Sequence, residues 1–443
     1  MKNISRRDFI KTAGAGALAV GVAACKPGSE KKSVQEDLGP AEMPLRTNPN
    51  TGDKVSLLGY GCMRWKMVPG PDGKEVIDQN YVNELVDYAL EHGVNYFDTS
   101  PVYLQGQSEA AAGIALSRHP RESYFLATKM SNFSNAEYDN SVLMYKQSMK
   151  NLKTDYIDYY LLHSIGSLAV FKQRFEDNHL IDFLVKEREA GRIRNLGFSF
   201  HGSAAAMDDL LALHDIYHWD FVQIQMNYVD WSTAGADYLY NELAKRNIPV
   251  VIMEPLLGGR LSSVPQGAAE QLKEREPEKS IASWAFRFCG SKPQVLTTLS
   301  GMTYMEHLVD NVNTFEHFKP LTDEEFAFLE EIAGLIKSYP LVDCTNCQYC
   351  MPCPYGINIP AIFLHYNGCV NENKIAQSKD QKDFKKLKKA YLTSYDKAIE
   401  TVRQADHCIG CNQCVSKCPQ SIRIPNELRR IDRYIEALKQ ETL

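Results

Sequence analysis

Short apolar runs alternate with longer amphipathic stretches from about residue 55 to residue 317. The apolar runs predict strands at 56–62, 94–98, 124–129, 157–163, 193–200, 221–227, 249–254 and 294–299. The amphipathic stretches predict helices at 81–91, 109–117, 136–152, 177–190, 204–214, 238–245, 280–288 and 305–317. Because the strands are apolar throughout, we expect both of their faces to be buried. Eight strand–helix units of this kind predict an α/β fold, a closed (β/α)8 TIM barrel over residues 46–320.

A smaller domain is predicted after the barrel. Residues 321–343 carry a helical pattern and predict a connector, and residues 344–443 predict a mostly helical domain with two groups of cysteines. Further helical patterns at 383–392 and 394–405 separate these groups. The 443 residues are enough for a barrel of about 250–300 residues together with such a domain.

The amino-terminal residues carry an export signal. Ser5-Arg6-Arg7-Asp8-Phe9 matches the twin-arginine pattern, and the apolar run at 12–24 is too short to span a membrane. The run ends in Val22-Ala23-Ala24-Cys25, which is similar to a lipoprotein cleavage site. Residues 1–25 are therefore predicted to be a twin-arginine signal peptide, with Cys25 as the site of a lipid anchor; simple secretion after cleavage nearby is the alternative.

We therefore expect a periplasmic protein or a membrane-anchored lipoprotein, with membrane association only through the lipid at Cys25. Residues 26–45, rich in Lys, Glu, Gly and Pro, predict a flexible tether. The formal net charge of −6 at pH 7 describes a mildly acidic chain. Because no basic surface field is expected, nucleic acid is not a predicted partner.

Ionisable side chains follow three consecutive predicted strands. Asp98 ends the second strand, Lys129 the third and His163 the fourth, and Tyr103 lies in the loop after the second strand. Catalytic residues of barrels lie where strands end and loops begin, so we expect these four to meet at one rim. Taken singly, Asp98 can be a helix cap, Lys129 a lysine that extends to solvent, and the other two core residues. Their occurrence together favours a catalytic site.

This set resembles the catalytic tetrad of the aldo-keto reductases, an Asp, a Tyr, a Lys and a His in this order on these barrel elements. The resemblance covers about residues 55–317. It implies that Tyr103 is the general acid that gives a proton to a carbonyl oxygen as hydride arrives from a nicotinamide. A free phenol has a pKa near 10, so we expect the Lys129 cation, held by Asp98, to stabilise the phenolate and lower the pKa of Tyr103. His163 is implied to orient the substrate carbonyl.

The same resemblance implies where a nicotinamide dinucleotide binds. Phe200 stands where the family has an Asn for the carboxamide, and Met253 where it has a stacking aromatic residue. The glycine-rich turn after the seventh strand permits backbone N–H groups to approach a pyrophosphate. Gly301 and His307 stand where NADP-selective members have Lys and Arg, so both NAD(H) and NADP(H) are retained as candidates. The predicted cofactor-binding residues are Ser199, Gln223, Leu256, Gly258, Gly259, Ser300, Gly301 and Asn311.

Eight of the twelve cysteines form two groups, C-x2-C-x2-C-x2-C-P at 344–354 and C-x2-C-x2-C-x3-C-P at 408–419. Such spacing is typical of iron–sulfur ligands in bacterial ferredoxins. Zinc is less expected because its CxxC pairs usually lie well apart, and cysteines this close in sequence make poor disulfide partners. Resemblance to two-cluster ferredoxins implies two 4Fe–4S clusters. One would be held by Cys344, Cys347, Cys350 and Cys418, and the other by Cys353, Cys408, Cys411 and Cys414.

Two functions are predicted as alternatives. The first is an oxidoreductase that interconverts a small-molecule carbonyl and an alcohol, with the clusters passing electrons to a redox partner protein. The second is an electron-transfer or ligand-binding subunit whose barrel is not catalytic; Phe200, Met253 and Glu254 in the cofactor cleft favour it, and the complete tetrad opposes it. Trp65, Tyr228 and Trp231 are candidates for a substrate pocket, although core packing is equally expected for them.

Overall fold

Eight parallel strands close into a barrel in the computed structural model, which describes residues 42–443. In chain order they are β1 (Leu58–Gly61), β2 (Tyr96–Asp98), β3 (Phe125–Met130), β4 (Ile157–Ile165), β5 (Ile193–Phe200), β6 (Phe221–Gln225), β7 (Val250–Met253) and β8 (Val295–Ser300). Each strand pairs with the next one along the chain, and β8 pairs with β1. The prediction of a (β/α)8 barrel is confirmed.

Helices follow the strands around the barrel. They are α1 (Gln79–Glu91), α2 (Ser108–Leu116), α3 (Tyr138–Leu152), α4 (Leu180–Glu189), α5 (Ala204–Leu211), α6 (Ala236–Lys245), α7 (Gln266–Arg275), α8 (Ile281–Gly290) and α9 (Met305–Glu316). Shorter helical turns occur at Leu168–Phe171, Lys172–Glu176, His214–Tyr217 and Asp230–Thr233. Two antiparallel hairpins pair Leu45–Thr47 with Lys54–Ser56 and Met67–Pro69 with Glu75–Ile77. Helix α7 was not predicted because it buries only Ala268 and Leu272, which leaves a weak apolar pattern.

Strand alternation explains how polar side chains reach the inside of the barrel. The innermost core contains Tyr96, Ala127 and Leu161, on β2, β3 and β4. Asp98, Lys129 and His163 each lie two residues beyond one of these on its strand. Side chains on one strand alternate between its two faces, so residues two positions apart point the same way. Asp98, Lys129 and His163 therefore point into the barrel, as the three core residues do. They therefore lie at the carboxyl end of the barrel, directly above its apolar filling.

The carboxyl-terminal region has a hydrophobic core of its own. Helix α10 (Asp323–Lys337) begins at a capping box of Thr322 and Glu325 and still packs on the barrel core. The second core is enclosed by α11 (Ile359–Asn371), α12 (Phe384–Ala398) and α13 (Ile424–Gln440). Helix α12 is continuous where the sequence predicts separate helices at 383–392 and 394–405, because no Gly or Pro interrupts it. Only short turns follow it, at Thr401–Arg403 and Ala405–His407.

Both cores belong to one compact unit, Ala41–Leu443. The predicted signal peptide at 1–25, with Cys25, and residues 26–41 of the predicted tether lie outside the described residues. In the described part of the chain, none of the helices combines the length and the apolar character that a membrane span requires.

Candidate active site

A buried ion pair occupies the inner rim of the barrel. Lys129 Nζ donates to Asp98 Oδ1 at 2.5 Å and to the carbonyl oxygen of Thr99 at 2.8 Å. The two charged side chains are only 1% and 4% exposed. Burial raises the pKa of Asp98 and lowers the pKa of Lys129, and the ion pair opposes both shifts. Since either charge alone would be buried without a partner, the two residues depend on each other.

Tyr103 lies beside this pair, in the turn that follows β2. Lys129 Nζ is 5.0 Å from the centre of its ring. Burial raises the pKa of Tyr103 above its ordinary value, and the neighbouring Tyr349 phenol and the carboxyls of Asp98 and Glu254 raise it further. The sequence predicts that Lys129 lowers the pKa of Tyr103, whereas in the structure burial and these neighbours raise it. The hydroxyl therefore stays protonated at neutral pH and can give up a proton.

A chain of hydrogen bonds orients His163. Its Nδ1 lies 2.5 Å from Ser131 Oγ, which lies 2.9 Å from Ser100 Oγ. Ser100 Oγ accepts from the backbone N–H of Val102 at 3.3 Å and also lies 3.4 Å from His163 Nδ1, so two hydroxyls surround this ring nitrogen. Burial and the nearby Lys129 lower the pKa of His163 well below 6.5, so the ring is neutral. With Nδ1 engaged by the two hydroxyls, Nε2 is the ring nitrogen left for a ligand.

One cavity of about 590 Å³ joins the predicted tetrad to the predicted cofactor cleft. All eight predicted cofactor-binding residues line it: Ser199, Gln223, Leu256, Gly258, Gly259, Ser300, Gly301 and Asn311. Met253 and Glu254 line it where the family resemblance implied an aromatic residue. Its volume falls in the range of small-molecule and cofactor sites.

The cavity offers partners for a carboxamide. Gln223 Oε1 is buried and has no hydrogen-bond partner among residues 42–443, so a bound amide N–H2 would satisfy it. Ser199 Oγ accepts from the backbone N–H of Ser164 at 2.7 Å, which leaves its own proton for a ligand. Phe200 is buried against Phe198 in the core, and the next residue, His201, lines the cavity instead. These donors and acceptors fit a nicotinamide.

His201 was not singled out by the sequence. Burial lowers its pKa to about 4, so its ring is neutral above that pH. The family pattern points to Phe200, and only the turn of the chain after β5 brings the following residue into the cleft. A signal was available, since His201 is the first ionisable side chain beyond that strand.

The structure brings the cysteines together as two sets of four. Cys344, Cys347, Cys350 and Cys418 line one small apolar cavity. Burial raises the pKa of Cys344 to about 11 and that of Cys350 to about 12, and both Cys347 and Cys418 add to these rises. In the second set, burial raises the pKa of Cys414, and Cys408, Cys411 and Cys353 raise it further. Each set thus joins three cysteines of one motif with the last cysteine of the other, a donor set that fits a 4Fe–4S cluster.

Polar contacts anchor the first cysteine loop (residues 344–350) and its surroundings on the barrel. Arg64 donates to the carbonyl oxygens of Thr345 and Asn346 at 2.7 and 3.5 Å. Arg260 forms an ion pair with Asp343 at 3.0 Å. The side-chain amides of Gln225 and Gln420 donate to each other at 3.1 and 2.8 Å. Gly258 has a φ of +67°, and a Cβ there would lie 2.1 Å from the carbonyl oxygen of Thr345. This glycine therefore permits the loop to pack against the barrel.

The first cysteine loop also supplies part of the cavity wall. Cys347 and Tyr349 of the loop, and Pro419 at the end of the second motif, line the same cavity as the predicted tetrad. The aromatic candidates from the sequence lie elsewhere, since Trp65 and Tyr228 are 2% exposed in the core and Trp231 packs against Phe288. The packing alternative thus holds for them, and the aromatic side chain beside the tetrad comes from the cysteine-rich region.

Comparison with protein families agrees with this geometry. Residues 57–333, more than half of the chain, match the model described as the aldo/keto reductase family. The chain belongs to the aldo/keto reductase family. In this aldo-keto reductase, residues 343–423 match the 4Fe-4S dicluster domain, and residues 3–23 match the signal sequence of the twin-arginine translocation pathway. The signal indicates export by that route.

Relatives of this aldo-keto reductase are distant in sequence. It is 25% identical over 308 residues to the uncharacterized oxidoreductase YqkF of Bacillus subtilis, covering 62% of this chain and 92% of the relative. It is 27% identical over 266 residues to L-galactose dehydrogenase of Arabidopsis thaliana, covering 58% and 78%. Among solved structures, an NADPH complex of an aldo-keto reductase from Klebsiella pneumoniae shares the fold, with a TM-score of 0.54, 22% identity and coverage of 66% and 95%.

Proposed function

We propose that this aldo-keto reductase interconverts a small-molecule carbonyl and an alcohol at the predicted tetrad, and that electrons pass between this site and two 4Fe–4S clusters. One observation carries the proposal: Cys347 and Tyr349, from the cysteine-rich region, line the same cavity as Tyr103 and His163. A barrel that worked only with a freely diffusing nucleotide would need no candidate cluster ligand in the wall of its catalytic cavity. The shared cavity thus favours the oxidoreductase over a subunit with a non-catalytic barrel.

Tyr103 is the general acid in reduction and the general base in oxidation. In reduction the carbonyl π bond opens as a C–H and an O–H bond form, and the protonated Tyr103 supplies the proton on oxygen. His163 donates a hydrogen bond from Nε2 to the same oxygen. Lys129, 5.0 Å from the ring centre of Tyr103, stabilises the phenolate that is left. A nicotinamide bound in the cavity would supply the hydride in reduction and accept it in oxidation.

The proposed dinucleotide is NAD(H) rather than NADP(H). Gln223 and Ser199 would hold the carboxamide, and Gly259, whose Cβ position is open, would allow the pyrophosphate to approach the backbone. Glu306 and Asp310 line the end of the cavity that follows β8. A carboxylate there can accept a hydrogen bond from a ribose hydroxyl and repels a 2′-phosphate.

Each proposed cluster would carry one electron between the cavity and the surface, so the two electrons of one hydride equivalent would reduce both clusters and release one proton. The first would be held by the cysteines that line the small apolar cavity, next to the tetrad. The second set includes Cys411, which is exposed, so a redox partner protein would exchange electrons at that end of the chain. Export would place this exchange in the periplasm, and a lipid at Cys25 would hold the protein at the membrane.

Substitution of Tyr103 tests the catalytic part of the proposal. We expect Tyr103→Phe to lower kcat for carbonyl reduction and alcohol oxidation by about 100-fold or more, because the proton donor is lost. Tyr304→Phe is the control, since Tyr304 is 46% exposed and lies outside the cavity. Undiminished activity of Tyr103→Phe in anaerobically purified protein would refute the catalytic role.

Cluster absorbance tests the electron route separately. We expect NADH, added without oxygen to the full-length protein, to bleach the iron–sulfur absorbance, and NADPH to do so less effectively. Dithionite serves as the control that the clusters can be reduced. Bleaching by dithionite but by neither nucleotide would refute electron transfer from nicotinamide to the clusters.

A further inference from the structure

Tyr349 belongs to the first cysteine loop but faces the barrel. It lies between Cys347 and Cys350 in sequence, and it lines the cavity together with Tyr103 and His163. Apart from burial, Tyr349 is the strongest influence that raises the pKa of Tyr103, so the two phenol groups are close neighbours. A residue from outside the barrel thus stands beside the proposed proton donor.

The Tyr349 hydroxyl is available to a ligand. Its side chain is half-buried in the cavity wall, and no residue between 42 and 443 forms a hydrogen bond with this hydroxyl. A ligand that displaces water from the cavity removes this hydroxyl from water, and the hydroxyl then loses free energy unless the ligand supplies a partner. In a binding cavity the ligand is the natural source of that partner.

The loop also holds Tyr349 in a fixed place. Arg64 anchors the preceding backbone through the carbonyl oxygens of Thr345 and Asn346. Gln348 has a φ of +65°, a left-handed conformation that turns the chain directly before Tyr349. Cysteines on both sides of Tyr349 line the small apolar cavity. Because the phenol is held in place before any ligand arrives, little conformational entropy is lost when it binds one.

Resting on the proposed function, we propose that Tyr349 is a substrate-binding residue whose hydroxyl forms a hydrogen bond with an oxygen on the carbon next to the reacting carbonyl. Tyr103 and His163 already provide two donors for the reacting oxygen. A third hydroxyl beside them therefore serves a second oxygen of the substrate. The substrate class that satisfies all three groups is the α-hydroxy aldehydes and ketones, and in the reverse direction the vicinal diols.

A pair of aldehydes that differ by one hydroxyl tests this inference. Lactaldehyde and propionaldehyde are compared as substrates of the full-length protein, prepared without oxygen. We expect kcat/KM to be higher for lactaldehyde, and Tyr349→Phe to lower this preference by a factor between about two and ten, the effect of one neutral hydrogen bond. Tyr355→Phe is the matched control, since Tyr355 lies in the same region, is 47% exposed and does not line the cavity.

A second measurement does not depend on turnover. The inhibition constants of 1,2-propanediol and 1-propanol should show the same preference for the hydroxylated compound, and the same loss of preference in Tyr349→Phe. Iron content and cluster absorbance of the variant should equal those of the wild type, because only a hydroxyl is removed.

Three results would overturn the inference: no preference for the hydroxylated compounds in the wild type, no turnover or inhibition with either pair, or an equal loss for both aldehydes in Tyr349→Phe. The last result would indicate a structural role for Tyr349. Each of them leaves the proposed function standing as long as Tyr103→Phe is impaired with another carbonyl substrate. Full activity of Tyr103→Phe would instead refute the proposed function itself.

Discussion

Gly258 is the position where a single methyl group should separate the cysteine loop from the barrel. The backbone of Gly258 has a φ of +67°, and an added Cβ would lie 2.1 Å from the carbonyl oxygen of Thr345. Ordinary contact begins at 3.4 Å, so Gly258→Ala requires the loop or the turn to move by about 1.3 Å. The adjacent Gly259 has a φ of +100°, and a Cβ there would meet no atom within 4 Å. Gly259→Ala therefore carries the backbone strain without the clash.

The difference between the two variants isolates the packing of the loop. A positive φ costs an L-residue about 1–2 kcal/mol; the φ of +67° at Gly258 lies in the left-handed region, whereas +100° at Gly259 lies beyond it and costs at least as much. Overpacking of a tight contact costs about 1–3 kcal/mol more, and this cost applies only at Gly258. We therefore expect Gly258→Ala to be less stable than Gly259→Ala by up to about 3 kcal/mol. It should also hold less iron, because Thr345 adjoins Cys344.

The assay is anaerobic denaturant unfolding, followed both by cluster absorbance and by circular dichroism, with iron measured per chain. For Gly258→Ala the cluster signal should be lost at a lower denaturant concentration than for Gly259→Ala. Equal midpoints and equal iron content in the two variants would refute the argument that Gly258 permits the loop to dock.

Three further predictions concern the inner rim and the cavity above it. Ser131→Ala removes the nearer of the two hydroxyls at His163 Nδ1, and we expect kcat/KM to fall about 5–10-fold with fold and iron content kept; an unchanged kcat/KM would contradict the orienting role of Ser131. Lys129→Met leaves the Asp98 carboxylate buried without its partner and should cost about 3–5 kcal/mol of stability in denaturant unfolding, which Asp98→Asn in the same chain should partly restore. The pKa of His201 is lowered to about 4 in the folded chain, so as the pH falls the unfolded chain binds this proton before the folded chain does. The free energy of unfolding should therefore fall by up to about 2–3 kcal/mol between pH 6.5 and pH 4. In a series of unfolding curves at different pH values, His201→Asn should reduce that fall.

The barrel and the grouping of the tetrad could be predicted from the sequence because both depend on local periodicity. Asp98, Lys129 and His163 lie at or near the carboxyl ends of strands whose alternation sets the direction of their side chains, and consecutive strands of a barrel are neighbours. The predicted cofactor residues line the cavity for a related reason, since all of them but Asn311, which lies on α9, lie on barrel strands or in the loops that follow.

The contribution of the cysteine-rich region could not be predicted in this way. Arg64 and Thr345 lie 281 residues apart, and no local pattern records that they meet. The neighbours of Tyr103 depend on the same long-range packing, which is why the sequence predicted a lowered pKa where the structure has a raised one. The only local sign was Tyr349, an aromatic residue between two cysteines of the first motif. Taken alone, this position is equally compatible with a residue that packs against a cluster.

The docking of the cysteine loop on Gly258 has a consequence for engineering. In sequence, the chain looks like a reductase followed by an interchangeable electron-transfer module. The contacts of Arg64, Arg260 and Gly258 form instead an interface that is specific to the backbone of this barrel. A chimera that joins this barrel to another ferredoxin domain would keep the ionisable residues of the rim and lose one wall of their cavity. Designs that aim at electron transfer between other barrels and iron–sulfur clusters should therefore transfer the cysteine loop together with the barrel surface that it contacts.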